Sequence, residues 1–407
     1  MLVVSTPPAR PLTGQKCANR QPALAGKIAA ATKSGPGTAS VVLQPFVDAH
    51  ILAGAVTLTA TRNKVVDLEA VGFADLKPKT PMQTDNMFWI ASMTKPMTAA
   101  AVMMLVDEGK ISLSEPVEKY LPEFKGQKVL VQRAASEQEG SARAMALEPA
   151  RHPILIREVL SHTSGLRFSS EKEPGALDLL PLAQAVRNYA AEPLLFQPGT
   201  RFEYSNEGIN TAARIVEVVS GMPYAEFMQR RLFDPLGMKD TTFWPEHEQI
   251  SRLAKAYKVS ADKTGLEEVQ IDQLTYPLDD LKHRYAVPAG GLFSTASDVV
   301  KFCQMILNGG VYQEKRFLSK SAVMEMTSKQ TGTEISDSYG FGWYVGKGTF
   351  GHPGVYKTNM TVDREHGIIT IFLVQQAGPW RTEEGKQMLR MFTNAAENLV
   401  LQTPVAQ

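Results

Sequence analysis

Alternating apolar and polar positions mark the two ends of the chain, and a helical period fills its middle. Residues 38–51 (TASVVLQPFVDAHI) fit a helix that ends near Leu52–Gly54. The next two stretches, AVTLTATR and KVVDLEAVGFA, alternate on either side of Arg62–Asn63 and predict a hairpin. In residues 88–109, FWIASMTKPMTAAAVMMLVDEG, the run from Pro96 to Val106 is apolar on nearly every side, which predicts a buried helix. Helical spacing then recurs in IREVLSH, PLAQAVRNYAA, NTAARIVEVVS, PYAEFMQRRLF and ASDVVKFCQMILNG, several of them stopping at glycine. Strand patterns return in GFGWYVGKG, VYKTNMTVD and GIITIFLVQ, followed by an amphipathic helix near EGKQMLRMFTNAAENLV.

Strands at both ends with helices between them predict one sheet assembled from the two termini and a mainly helical domain inserted into it. The expected division is a loosely ordered N-terminal extension over 1–35, a sheet domain from 36–90 plus 330–407, and a helical domain over 91–329. Residues 126–153 are rich in Ala, Glu, Arg and Ser, carry little pattern, and read as a surface loop or lid.

Composition narrows the function. The 43 basic and 42 acidic residues leave a net charge of +1, which gives no electrostatic footprint for nucleic acid or an anionic membrane. Cys17 and Cys303 are too few and too far apart for a disulfide scaffold or a thiolate metal site, and Cys303 in VVKFCQMIL reads as a buried small hydrophobe. The first residues lack the apolar core of a secretory signal and no stretch is long enough for a membrane span. The chain as given therefore reads as cytoplasmic, or as periplasmic or secreted if a signal has been trimmed from its precursor.

Three short clusters carry candidate chemistry. Ser92 and Lys95 stand three apart at the head of the buried helix, so hydroxyl and amine share one face, and the Ser92 N–H is an orphan donor of a helix start. Taken alone, the pair is better explained as a helix-capping serine beside a solvated lysine, although a lysine at the mouth of a buried helix is costly unless paired or used. Tyr204 and Asn206 lie in a turn before a helix, where both can face a cleft, or where Asn206 simply caps the helix and Tyr204 packs. His352 and Gly354 lie in a Gly-rich turn running into a strand, where the amides beyond Gly354 can face a substrate, or where a plain hairpin turn exposes a histidine. No G-x-S-x-G, H-E-x-x-H or Walker loop is present, and no cofactor or metal is expected.

As a set, Ser92-Met93-Thr94-Lys95, Tyr204-Ser205-Asn206 and His352-Pro353-Gly354 resemble the S-x-x-K, Y-x-N and K-T-G boxes of the serine β-lactamase and penicillin-recognising superfamily. The resemblance is to the branch of class C β-lactamases, D-alanyl-D-alanine peptidases and family VIII carboxylesterases. LSHTSGL (160–166), VVSGMPYAEFMQRRLFDPLGMKDTTF (218–243) and PAGGLFSTASDVVKF (288–302) agree, so it spans roughly 38–400. It implies an α/β (α+β) fold: an antiparallel sheet flanked by helices and built from both termini, with an inserted mainly helical domain and the site between the two. It also implies that Ser92 attacks a carbonyl to form an acyl-enzyme, that Lys95 and Tyr204 share the proton work, and that Asn206 orients Lys95 or the substrate. The oxyanion then takes the N–H groups of Ser92 and Val355.

His352 stands where lactamases carry a lysine. With that permanent cation replaced by an imidazole mostly neutral at pH 7, Tyr204 is not expected to be a stable phenolate, and a neutral Lys95 or a concerted Tyr204–Lys95 transfer takes the serine proton. A neutral His352 also holds a substrate carboxylate less well, which ranks a carboxylesterase for small or short-chain esters first. A β-lactamase or D-alanyl-D-alanine carboxypeptidase comes second, and a non-catalytic scaffold is the alternative from another class. The expected partner is a small-molecule ester or amide, and oligomeric state is not legible.

Overall fold

The computed structural model describes residues 39–132, 145–172 and 175–402. The extension expected over 1–35, with Cys17, lies outside the described residues. Helix α1 (Ala39–Asp48) leads into strands β1 (Gly54–Thr61) and β2 (Val65–Asp75), paired antiparallel across the Arg62–Asn63 turn, and then into the short strand β3 (Thr80–Pro81). The long helices of the middle are α2 (Thr94–Asp107), α3 (Asn206–Ser220) and α4 (Ala296–Leu307). Strands β4 (Tyr344–Val345), β5 (Thr349–Pro353), β6 (Asn359–Asp363) and β7 (Ile368–Leu373) precede the terminal helix α5 (Met388–Gln402).

The strands form one antiparallel sheet in the order β4-β5-β6-β7-β1-β2-β3, so both ends of the chain build it, and its centre pairs Leu58 with Ile371. Period-two alternation sorts its side chains into two cores. Ala55, Phe372 and Val374 face α1 and α5, where Leu43, Phe46, Met388 and Phe392 close one layer. Val56, Leu58, Ile369 and Ile371 face the other way, onto α4 with Val299, Phe302 and Cys303. Burying each of these larger aliphatic side chains contributes about 1.5–3 kcal/mol. Helix α4 thus lies against the sheet although its sequence falls within residues 91–329.

Every residue of α2 from Thr94 to Leu105 is buried, with α3 packed along it. Among the described residues no helix is long and apolar enough to cross a membrane. Two local expectations change. The arms of the 126–153 segment are strands rather than loop: Lys128–Gln132 pairs antiparallel with Met145–Pro149, and Leu130 and Lys128 bond to the backbone of Leu194. Their alternation, KVLVQ against MALEP, is hidden because this surface hairpin buries few side chains; residues 133–144 lie outside the described residues. His352 sits on strand β5, not in a turn: Phe350 and His352 point inward, and the glycine and proline between and beside them mask the pattern.

Candidate active site

Ser92 lies in a 3-10 turn, Ala91–Met93, that runs directly into α2. Neither the turn nor the helix has a side-chain cap, so the serine is not serving as one. Ala91 holds φ at +46°, a left-handed conformation that costs a residue with a Cβ on the order of 1–3 kcal/mol and persists only where its surroundings impose it. Here the Ile90 N–H donates to Leu292 O at 2.9 Å and Trp89 Nε1–H to Gly290 O at 2.7 Å, locking the bend from one side. The bend leaves Ser92 partly exposed and puts Lys95 wholly inside.

Lys95 Nζ lies 2.8 Å from Asn206 Oδ1, 2.7 Å from Ala289 O and 3.1 Å from Ser92 Oγ. The amide and peptide oxygens only accept, so each takes an N–H. The hydroxyl can accept or donate. Burial holds the Lys95 pKa well below the ordinary lysine value, and no carboxylate forms an ion pair with it among the described residues. In its neutral form the amine would have two N–H groups and one lone pair, and with both N–H groups committed the lone pair would face the Ser92 hydroxyl.

Tyr204 and Asn206 reach this amine from the start of α3. Ser205, not Asn206, caps the helix: its Oγ accepts the Gly208 N–H at 2.9 Å, which frees the Asn206 amide for Lys95. Four residues on, Asn210 Oδ1 accepts the Ala289 N–H at 3.0 Å and so fixes the peptide whose carbonyl holds Lys95. The Tyr204 ring centroid is 4.6 Å from Lys95 Nζ, and its hydroxyl bonds to Ser92 and lies 3.4 Å from His352 Nε2. Burial pushes the Tyr204 phenol far above its ordinary value.

His352 is buried in the sheet edge. Its Nδ1–H donates to Pro353 O at 2.8 Å, which leaves Nε2 as an acceptor for the Tyr339 hydroxyl at 3.0 Å. Burial, reinforced by nearby Lys95, lowers its pKa to about 3, so the imidazole is neutral. Gly354 opens the following turn against the Ser92 bend. A Cβ there would lie 2.7 Å from Ile90 O and 3.4 Å from the Ala91 Cβ, so only glycine permits the approach. The Gly354 N–H is used within the turn, donating to Thr358 O at 2.7 Å. Val355 comes next with its side chain half-exposed. Ser92, Lys95, Tyr204, Asn206 and His352 therefore share one contact network, with Gly354 at its base. Among the described residues no cluster of three or more His, Cys, Asp or Glu is placed to hold a metal ion.

The β-lactamase family profile matches residues 41–393. The chain belongs to the β-lactamase family. An uncharacterised protein of Mycobacterium tuberculosis is 32% identical over 367 residues, covering 82% of this chain and 88% of that one. Esterase EstB of Burkholderia gladioli is 28% identical over 372 residues, covering 80% of this chain and 86% of its own. Among solved structures, EstCE1, a hydrolase with promiscuous acyltransferase activity, superposes with a TM-score of 0.71 at 23% identity, covering 92% of this chain and 98% of that one, a likeness of fold. With the family come its fold, as described above, and its reaction class: the protein is a serine hydrolase.

The site also uses residues that sequence reasoning met only as flanking similarity. His162, in LSHTSGL, holds the turn around Tyr204 from both sides: its backbone oxygen accepts the Glu203 N–H at 2.9 Å and its Nδ1 accepts the Ser205 N–H at 3.1 Å. Its ring packs 4.6 Å from both Tyr204 and Tyr339, and burial drives its pKa well down, so it too is neutral. Ala289 and Gly290, in PAGGLF, form the wall opposite. Tyr339 lies in no motif, and its bond to His352 is a tertiary contact that no spacing announces.

Proposed function

We propose that the protein is a carboxylesterase that forms an acyl-enzyme through Ser92 and acts on small or short-chain uncharged esters. The observation that carries this reading is the charge of the site. Lys95 is the only Lys or Arg that bonds to Ser92, Tyr204, Asn206 or His352 among the described residues, and it is fully engaged. His352, where the lactamase box has a lysine, is uncharged. A β-lactam or a peptide C-terminus would bring its carboxylate into a buried site with no fixed cation to receive it, at a desolvation cost that an ester does not incur.

In this mechanism Lys95 takes the Ser92 proton as Oγ attacks the ester carbonyl. The oxyanion is received by the N–H groups of Ser92 and Val355, each donor supplying about 3–4 kcal/mol of transition-state stabilisation. Lys95 returns the proton to the departing alkoxide, with Tyr204 hydrogen-bonded to Ser92 and relaying it, and Asn206 holds the amine in place. Water then enters and attacks the acyl carbonyl, giving a proton to Lys95, which passes it to Ser92 Oγ as the ester bond breaks and the acid leaves. Tyr204 does not serve as a phenolate, because ionising a phenol of ordinary pKa at pH 7 already costs about 4 kcal/mol and burial adds to it. We further propose that residues 36–90 with 330–407 and residues 91–329 act as two lobes whose junction is this site, α4 serving the sheet lobe.

Hydrolysis of p-nitrophenyl butyrate, nitrocefin and a D-Ala-D-Ala peptide, each beside a Ser92→Ala control, tests the assignment. The butyrate ester is expected to be turned over with the highest kcat/KM. Faster nitrocefin or peptide cleavage would replace the esterase reading by a lactamase or peptidase.

A further inference from the structure

A cavity lined by none of Ser92, Lys95, Tyr204, Asn206 and His352 opens elsewhere on the described residues. It has a volume of about 560 Å³, within the roughly 300–1,000 Å³ of small-molecule sites, and lies at the C-terminal end of α4. Arg62 from the β1–β2 turn, Arg316, Lys320 and Arg364 line it, and no carboxylate does. Among the described residues none of these four cations forms an ion pair. Part of their role is structural. Arg62 donates to Leu307 O, Arg316 to Gly309 O at 3.1 Å and Leu318 O at 2.9 Å, and Arg364 to Thr327 O at 3.1 Å. The bonds to Leu307 and Gly309 finish the end of α4, and the bond to Thr327 finishes the helix Lys320–Met326. Each helix end corresponds to only about half a negative charge, so most of the charge of the four cations is uncompensated. Each guanidinium carries five N–H donors and uses only some of them here, while the Lys320 ammonium makes no hydrogen bond to the described residues. Asn308 and Thr327 add two polar side chains, and the apolar part of the lining is Ile306, Leu307, Val323, Met324 and Phe350, of which Met324 is left 54% exposed. Arg364 already covers the Phe350 ring at 5.3 Å, so the cavity offers no open aromatic face for a stacked base.

We propose that this cavity is a second ligand site, for an organic anion that joins a carboxylate or phosphate-monoester head to a short aliphatic chain. The head neutralises like charges that otherwise repel one another and satisfies their spare donors, and the chain covers Met324. None of the four cations bonds to Ser92, Lys95, Tyr204, Asn206 or His352, so the site is separate from the catalytic one and independent of the ester assignment.

Calorimetric titration of the full chain carrying Ser92→Ala with octanoate, octyl phosphate, octan-1-ol and inorganic phosphate tests it. Octanoate or octyl phosphate is expected to bind saturably at one site, and the preferred head tells a free carboxylic acid from a phosphate lipid. Lys320→Gln is expected to weaken that binding about tenfold, the loss of one charge-assisted contact. Met324→Glu, which places a carboxylate in the cavity without touching the bonds that finish α4, is expected to weaken it at least as much. Equal binding of octan-1-ol or of inorganic phosphate, no saturable binding of either amphiphile, or octanoate affinity unchanged in both variants would overturn the proposal.

Discussion

Replacing Tyr204 with phenylalanine separates the two bases the site offers. The ring, its packing on His162 and its place beside Lys95 are kept, and only the hydroxyl that bonds to Ser92 and faces His352 is lost. If Lys95 is the base, the phenol contributes one hydrogen bond to an oxygen that gains charge as the reaction proceeds. Such a bond contributes about 1.5–3 kcal/mol, or roughly 10- to 150-fold in kcat/KM at about 1.4 kcal/mol per factor of ten. If a Tyr204 phenolate were the base, its removal would approach the effect of losing the nucleophile, on the order of ten-thousandfold or more. The pH profile adds a second reading. Lys95 accepts a proton only when neutral, so activity is present above its folded pKa and is lost as pH falls through it; burial places that point below the ordinary lysine value of 10.5. The phenylalanine variant should keep this acid limb at the same pH. The assay is p-nitrophenyl butyrate hydrolysis from pH 5 to 9 for wild type, Tyr204→Phe and Ser92→Ala, with urea unfolding to show that each is folded. A folded Tyr204→Phe protein as inactive as Ser92→Ala, or one whose acid limb has vanished, would refute the assignment of Lys95.

Two other perturbations probe the frame of the site. His352 has a folded pKa of about 3 against an ordinary value of 6.5, so the unfolded chain takes up its proton first. Stability is then lost as pH falls from 6.5 towards about 3, at about 1.4 kcal/mol per pH unit from this residue. His352→Gln keeps an acceptor for Tyr339 without titrating, and urea unfolding at pH 7, 6, 5 and 4 should show a correspondingly flatter decline; an unchanged decline would mean that His352 is not buried neutral. At His162, leucine removes the acceptor of the Ser205 N–H and must hold φ near +60°, whereas asparagine tolerates that conformation and keeps an acceptor. His162→Leu should lose about 2–3 kcal/mol of stability and most of its kcat, and His162→Asn should recover much of both. Equal behaviour of the two variants would remove His162 from the positioning of Tyr204.

Much of this was legible in the residues because two periods dominate. The hairpin at 54–75 announces itself by alternation, the strand Ile368–Leu373 by a continuous apolar run rich in isoleucine, and α2 by a run too apolar to face water on any side. What stayed hidden has a common cause: the information is not periodic. Strand β5 alternates inward and outward over only five residues, two of them glycine and proline, so His352 looked like part of a turn. The roles within Tyr204-Ser205-Asn206 could not be divided from spacing, because serine and asparagine are both good caps. Only the geometry gives the cap to Ser205 and the contact with Lys95 to Asn206. The Ala289 carbonyl carries no side-chain signature at all, and His162 was visible as a shared motif without a visible task.

The lysine explains why these pieces come from such distant parts of the chain. A buried amine with no carboxylate beside it lowers stability wherever the unfolded chain would keep it charged, which is throughout the range below 10.5. Its partners do not relieve that penalty by supplying charge. They supply geometry: α2 brings the amine, α3 the Asn206 oxygen, and the loop before α4 the Ala289 oxygen, itself held by Asn210. With two neutral acceptors on the amine, the lone pair of its neutral form would point in the remaining direction, to Ser92. Adding a carboxylate here would stabilise the fold and spoil the chemistry, because an ion-paired ammonium has no lone pair to offer. On the proposed mechanism the apolar wrapping of α2 is part of the catalyst: it lowers the Lys95 pKa, and the fold accepts a less stable core in return for a base.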